Sequence, residues 1–159
     1  MHLGYDPQIE NGWVRIQRVA WGVMAVLVLG GIAGIFGRGP LSTAQASTAD
    51  GAVTVRYERF ARFRTPSQSV ITVTQPQTAA LRVHVAGAWL AALPAQSLDP
   101  RPAEEIPVAG GTDFVFAAEA GSGPVRITLT QQAAKAGLVR GEITVQGERP
   151  VAVTQFVWP

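Results

Sequence analysis

Residues 19–37 read VAWGVMAVLVLGGIAGIFG, an unbroken apolar run with Arg15 and Arg18 before it and Arg38 after it. It carries no charge and nothing more polar than the Trp21 indole. At a rise of ~1.5 Å per residue such a run covers a hydrocarbon core of ~30 Å. The sequence therefore predicts a single N-terminal transmembrane α-helix over residues 19–37, behind a tail of residues 1–18. A secretory signal peptide is the alternative, with Ala44-Gln45-Ala46 before Ser47 as a small-residue cleavage site. The apolar part of a signal peptide is shorter, ~7–15 residues, and its cleavage site follows quickly. Here a charged GRGP stretch intervenes and the tail MHLGYDPQIENGW is acidic-polar, so an uncleaved anchor is expected.

Two arginines precede the run against one close behind it, which by the positive-inside rule places the N-terminus in the cytoplasm and the rest of the chain outside. A single lysine, Lys135, among thirteen basic residues, with abundant Ala, Gly and Val, suggests a GC-rich bacterial genome. The expected location is a bacterial inner membrane, with the C-terminal domain periplasmic.

Working outward, residues 38–50 (RGPLSTAQASTAD) are small and polar with no apolar period, and read as a flexible tether. Past Gly51 the hydrophobic period changes to two. Val53, Val55 and Tyr57 alternate with Thr54, Arg56 and Glu58; Leu81, Val83 and Val85 with Arg82 and His84; Val125, Ile127 and Leu129 with Arg126, Thr128 and Thr130. Ile71/Val73, Phe114/Phe116, Val139/Ile143/Val145 and Val151/Val153 complete the series, and glycines and prolines punctuate it. Residues 51–159 thus predict one all-β domain, an immunoglobulin-like β-sandwich of about seven or eight strands, with a small barrel as the alternative. The sole helix candidate there is a turn at Gln131–Ala136. Between Pro94 and Gly111 four prolines break the alternation, predicting a long surface connection with a short edge strand at Glu105–Val108. Such a loop is either a stiff crossover or a binding feature.

The chain has no cysteine, hence no disulfide, thiolate nucleophile or Cys-based metal site. A formal net charge of +2 without a basic stripe argues against nucleic acid. His2 lies in the tail, and His84 sits on a polar strand face beside Arg82. Neither offers the converging ligands of a metal centre. Glu104-Glu105 falls in the proline-rich stretch without a pocket signature, no serine sits in a G-x-S-x-G elbow, and GSGP at 121–124 reads as a hairpin turn. No enzyme activity, cofactor or metal is expected.

Three interaction features stand out. Gly30, Ala33, Gly34 and Gly37 share one helical face, which suits close packing of a second transmembrane helix. In residues 56–64 four arginines interleave with three aromatics: Arg56, Tyr57, Arg59, Phe60, Arg62, Phe63 and Arg64 are candidates for partner or membrane-surface contact. Read structurally instead, the segment is a bulged first strand that buries one of its aromatics. Finally, Gln155–Pro159 is either a closing strand with Phe156 or Trp158 in the core, or an exposed aromatic end. In outline the architecture resembles single-span assembly factors and accessory subunits of respiratory chains, although their metal-binding cysteines are missing. The expected function is a non-catalytic accessory or assembly subunit of an inner-membrane complex, in contact with integral membrane proteins and the lipid bilayer. A free-standing anchored module binding a protein, glycan or small ligand is the alternative.

Overall fold

The computed structural model describes residues 7–33, 42–121 and 123–159. Among them, one helix is long and apolar enough to span a membrane. This helix, α1, covers Pro7–Ala33, and proline suits its first position because the N–H it lacks there has no intrahelical acceptor. The apolar stretch Trp13–Ile32 is unburied along its whole length. Residues 7–18, read from sequence as tail, therefore continue the helix. Arg15 and Arg18 lie within it, where long cationic side chains can run along the helix toward water.

The remaining described residues form eleven strands in two sheets that share one core. In chain order they are β1 (Thr43–Ser47), β2 (Val53–Glu58), β3 (Phe60–Arg62), β4 (Pro66–Val73), β5 (Ala80–Ala86), the short helix α2 (Gly87–Ala92), β6 (Ala95–Asp99), β7 (Glu104–Val108), β8 (Gly111–Ala117), β9 (Val125–Gln132), β10 (Gly137–Val145) and β11 (Val151–Trp158). One sheet runs β1-β2-β4-β9-β6, antiparallel throughout. The other runs β3-β11-β10-β5-β8-β7, antiparallel except for the parallel pair β3 and β11.

The period-two pattern has the expected result. Val53, Val55, Ile71, Val73, Ile127 and Leu129 of the first sheet are buried, as are Leu81, Val83, Val85, Phe114, Phe116, Ile143, Val145, Val151, Val153 and Val157 of the second. Each such side chain contributes roughly 1.5–3 kcal/mol on burial. Trp89 and Leu93, at and just after α2, are fully buried. The Trp89 ring meets Tyr57 edge-on at 6.5 Å. An added Cβ at Gly141 of β10 would lie 2.5 Å from the Trp89 Cβ, so the strand passes α2 with room for glycine alone.

Four expectations need correction. The tether does not extend to residue 50: Thr43–Ser47 pair with β2, and Ala44 is buried opposite Tyr57. The stretch 94–111 holds the expected edge strand as β7 but is not otherwise one long loop, because β6 also lies in it, as the edge of the other sheet. Pro107 fits within β7 because an edge strand has N–H groups that need no ladder partner, and Pro94, Pro100 and Pro102 fall outside the strands. Gln131 and Gln132 end β9 rather than forming a helical turn, and the short helix is instead α2. Finally, Gln155 and Val157 of β11 point into the core while Phe156 and Trp158 face outward.

Candidate functional site

Strand register settles what lies at each end of the domain. β1 runs away from the end at which the chain arrives, with Thr43 paired to Glu58 and the Arg59 N–H donating to the Ser42 carbonyl. β2 and β3 run toward that end, and β4 and β9 extend past it, since Tyr57 pairs with Ser69 while Pro66 pairs with Gln132. Three residues separate Pro66 from Ser69, so the tip projects ~10 Å beyond the pairing of Tyr57. The tip, called here the tether pole, consists of Arg62–Thr65, residues 133–136 and the segment after α2.

Of the seven residues singled out between 56 and 64, the structure separates one from the rest. Tyr57 is a core residue; its ring packs on Trp89 and its hydroxyl accepts from the Thr154 N–H at 3.3 Å. Arg56 is exposed on β2. At Arg59 the chain leaves the first sheet for the second, and Arg59, Arg62, Phe63 and Arg64 are exposed with Phe60 half-buried. Arg64 is the one non-glycine residue of positive φ among those described, at 58°. Two hydrogen bonds hold it there: its N–H donates to the Ala133 carbonyl at 3.1 Å, and Gln132 Nε2 donates to its carbonyl at 2.8 Å. Its guanidinium carbon lies 5.2 Å from the centre of the Phe63 ring, in cation–π range. Phe63 and Arg64 border a shallow cavity of about 380 Å³ with Pro94, Gln96, Gln132 and Ala133.

A second group lies on the outer face of the β3-β11-β10 region. Phe60 pairs with Phe156 and Phe156 with Leu138, so three apolar side chains form one row across three strands. Leu138 is 56% exposed. Trp158 adds to the row through an edge-on contact with Phe156 at 4.8 Å. Sequence reasoning named Phe60 and considered the aromatic end of the chain, but missed Leu138, which pairs with Phe156. The pairing of strands so distant in sequence leaves no local signal.

A polar cluster occupies the outer face of β5 and β8. Asp113 accepts from Arg82 at 3.3 Å and lies 2.7 Å from His84 Nδ1. The hydrogen bond with His84, then that with Arg82, holds the Asp113 carboxyl below its ordinary range, against the opposing effect of burial. His84 is thus tied to a carboxylate, and no local sequence pattern marks Asp113 as its partner. Beside these lies a cavity of about 470 Å³ between the two sheet edges, bordered by Leu90, Leu98, Arg101, Glu105 and Phe114. Glu105, from the acidic pair, lines it from β7. Among the described residues, no group of three or more His, Asp or Glu side chains could hold a metal ion. Of the predicted helix-packing face, Gly30 and Ala33 lie on α1, while Gly34 and Gly37, like His2, fall outside the described residues.

No protein-family model matches the chain, and no curated protein is similar to it.

Proposed function

We propose that the protein is a non-catalytic accessory or assembly subunit of a bacterial inner-membrane complex, its N-terminus cytoplasmic and its β domain periplasmic. The observation that carries this reading is the outward row Phe60–Phe156–Leu138 with Trp158 beside it. Apolar and aromatic side chains aligned across three strands suit a protein interface, whose centre is enriched in such residues. The unburied helix α1 supplies a second contact, with Gly30 and the small residues that follow it as the face against a neighbouring helix. The uncleaved anchor gains support from β1. Cleavage after Ala46 would cut a strand paired to β2 along its length.

The strand order also supports the immunoglobulin-like assignment. By position, β2-β4-β9-β6 corresponds to A-B-E-D and β11-β10-β5-β8-β7 to G-F-C-C′-C″. The departure is one of sequence: the chain visits the D position at β6 before the C″ and C′ positions at β7 and β8.

Gentle-detergent purification with mass spectrometry tests the function. A stoichiometric integral membrane partner is expected, and it should be lost when residues 19–37 are exchanged for an unrelated apolar span. Gly30→Leu should weaken the association by about tenfold, while Val28→Leu, about 160° round the helix, should not. A monomer without partners would sink the reading. The cavity at Arg101 and Glu105 favours the second reading, an anchored module for a small ligand or peptide, which would survive exchange of the span.

A further inference from the structure

We propose that the tether pole is a docking surface for anionic phospholipid, so that the domain sits upright on the headgroups of the membrane its own helix enters. The inference needs only that helix and no protein partner.

Chain length comes first. The apolar run ends at Gly37 and the domain begins at Ser42, leaving four residues between them. Five Cα–Cα steps reach ~18 Å at most. Because β1 runs away from the tether pole, Ser42 lies on the pole's side of the domain; it stands opposite Arg59, at about the level of Ser67, so Pro66 projects only ~3 Å beyond it. With the strands upright, the tip is held within ~15 Å of the end of the apolar run, in reach of the headgroup region.

Charge is distributed to match. Arg59, Arg62, Arg64 and Lys135 are exposed at or beside the tether pole, where Glu58 is the acid. Asp50, Glu119 and Glu148 lie in the connections at the far end, with Arg149 as the cation among them. Phosphate groups on the bilayer would meet four cations against Glu58 at one end of the domain, and three carboxylates against Arg149 if it were inverted. Clustered basic residues near a membrane surface bind anionic lipid in this way.

Arg64 supplies the third observation. A left-handed backbone is unfavourable for any residue with a Cβ, and glycine would adopt it freely. The site instead holds an arginine, anchored by Ala133 and Gln132 and laid over Phe63 at the rim of a cavity. Arg64 thereby presents a cation and a ring edge together at the tip, a combination suited to the boundary between phosphates and acyl chains.

The test uses the full chain in lipid nanodiscs. The absence of cysteine permits single labels at Ala136→Cys, on the tether pole, and Ala120→Cys, at the far end. With a quencher attached to lipid headgroups, the label at 136 should be quenched in phosphatidylglycerol-rich discs and the label at 120 should not. Pure phosphatidylcholine, high salt or the triple change Arg62→Glu, Arg64→Glu and Lys135→Glu should each lower the docked-to-free ratio by about tenfold or more. An unchanged urea midpoint would show that the triple variant is folded. Phe63→Ser, which keeps every charge, serves as a second variant and should lower the ratio less. Equal quenching at both labels overturns the proposal. So does quenching at 136 that ignores charge and salt, because the short connection alone would then explain it.

Discussion

Arg64 lies in a backbone region where a Cβ costs roughly 1–2 kcal/mol, part of which glycine would forfeit again through its freer unfolded chain. Arg64→Gly should therefore raise the stability of the domain by about 0.5–1 kcal/mol in urea unfolding while weakening its attachment to anionic lipid. A destabilised Arg64→Gly protein would show that the arginine side chain holds the fold together instead. Gly141 presents the opposite case. Its Cβ would collide with that of Trp89, so Gly141→Ala should cost about 1–3 kcal/mol in urea unfolding, and a Trp89→Leu background should relieve little of it because leucine keeps that Cβ. Asp113 sets a pH dependence. Its folded pKa is depressed, chiefly by the His84 hydrogen bond, so its contribution is complete above the ordinary value of 3.8 and is lost as pH falls through the depressed one. Asp113→Asn should flatten the acid limb of stability below about pH 4 in urea unfolding.

β1 shows how an element can hide in a sequence. Its residues, TAQAS, are small and without period, yet Ala44 fills a buried position opposite Tyr57. Ala44→Asp should cost about 3 kcal/mol by burying an unpaired charge. Gln45→Asp, on the exposed side, should stay within about 0.5 kcal/mol. Intact-mass spectrometry of the membrane-extracted protein should find residues 1–46 still attached. The strands with one buried face, such as β2, β5 and β9, were legible because core and solvent alternate along them. β7 was legible only as a short edge strand and β6 was not, since edge strands beside an open cavity keep few fully buried positions and tolerate proline. α2 is too short for a helical period to emerge. In the Arg-rich segment the transfer between sheets at Arg59 resets the alternation. Tyr57 therefore faces the core and Phe60 does not, and composition alone could not separate them.

Over the whole molecule, the strand arriving from the anchor and the last strand end up on the same side of the domain. β11 lies between β3 and β10, with Val157 fully buried and Phe156 N–H donating to the Arg59 carbonyl. Removing residues 151–159 should open the core along the second sheet, leaving a chain without a near-ultraviolet dichroism signal and cut readily by protease. That arrangement also sets a timetable for biosynthesis. The apolar helix leaves the ribosome long before β11 exists, whereas β3 and β10 have nothing to join them until β11 has been translated. The sheet therefore closes late, and until then the nascent domain waits with a surface of unpaired β-strand. A chaperone at that surface would find its substrate in this interval, and a translational pause placed before Val151 would lengthen it.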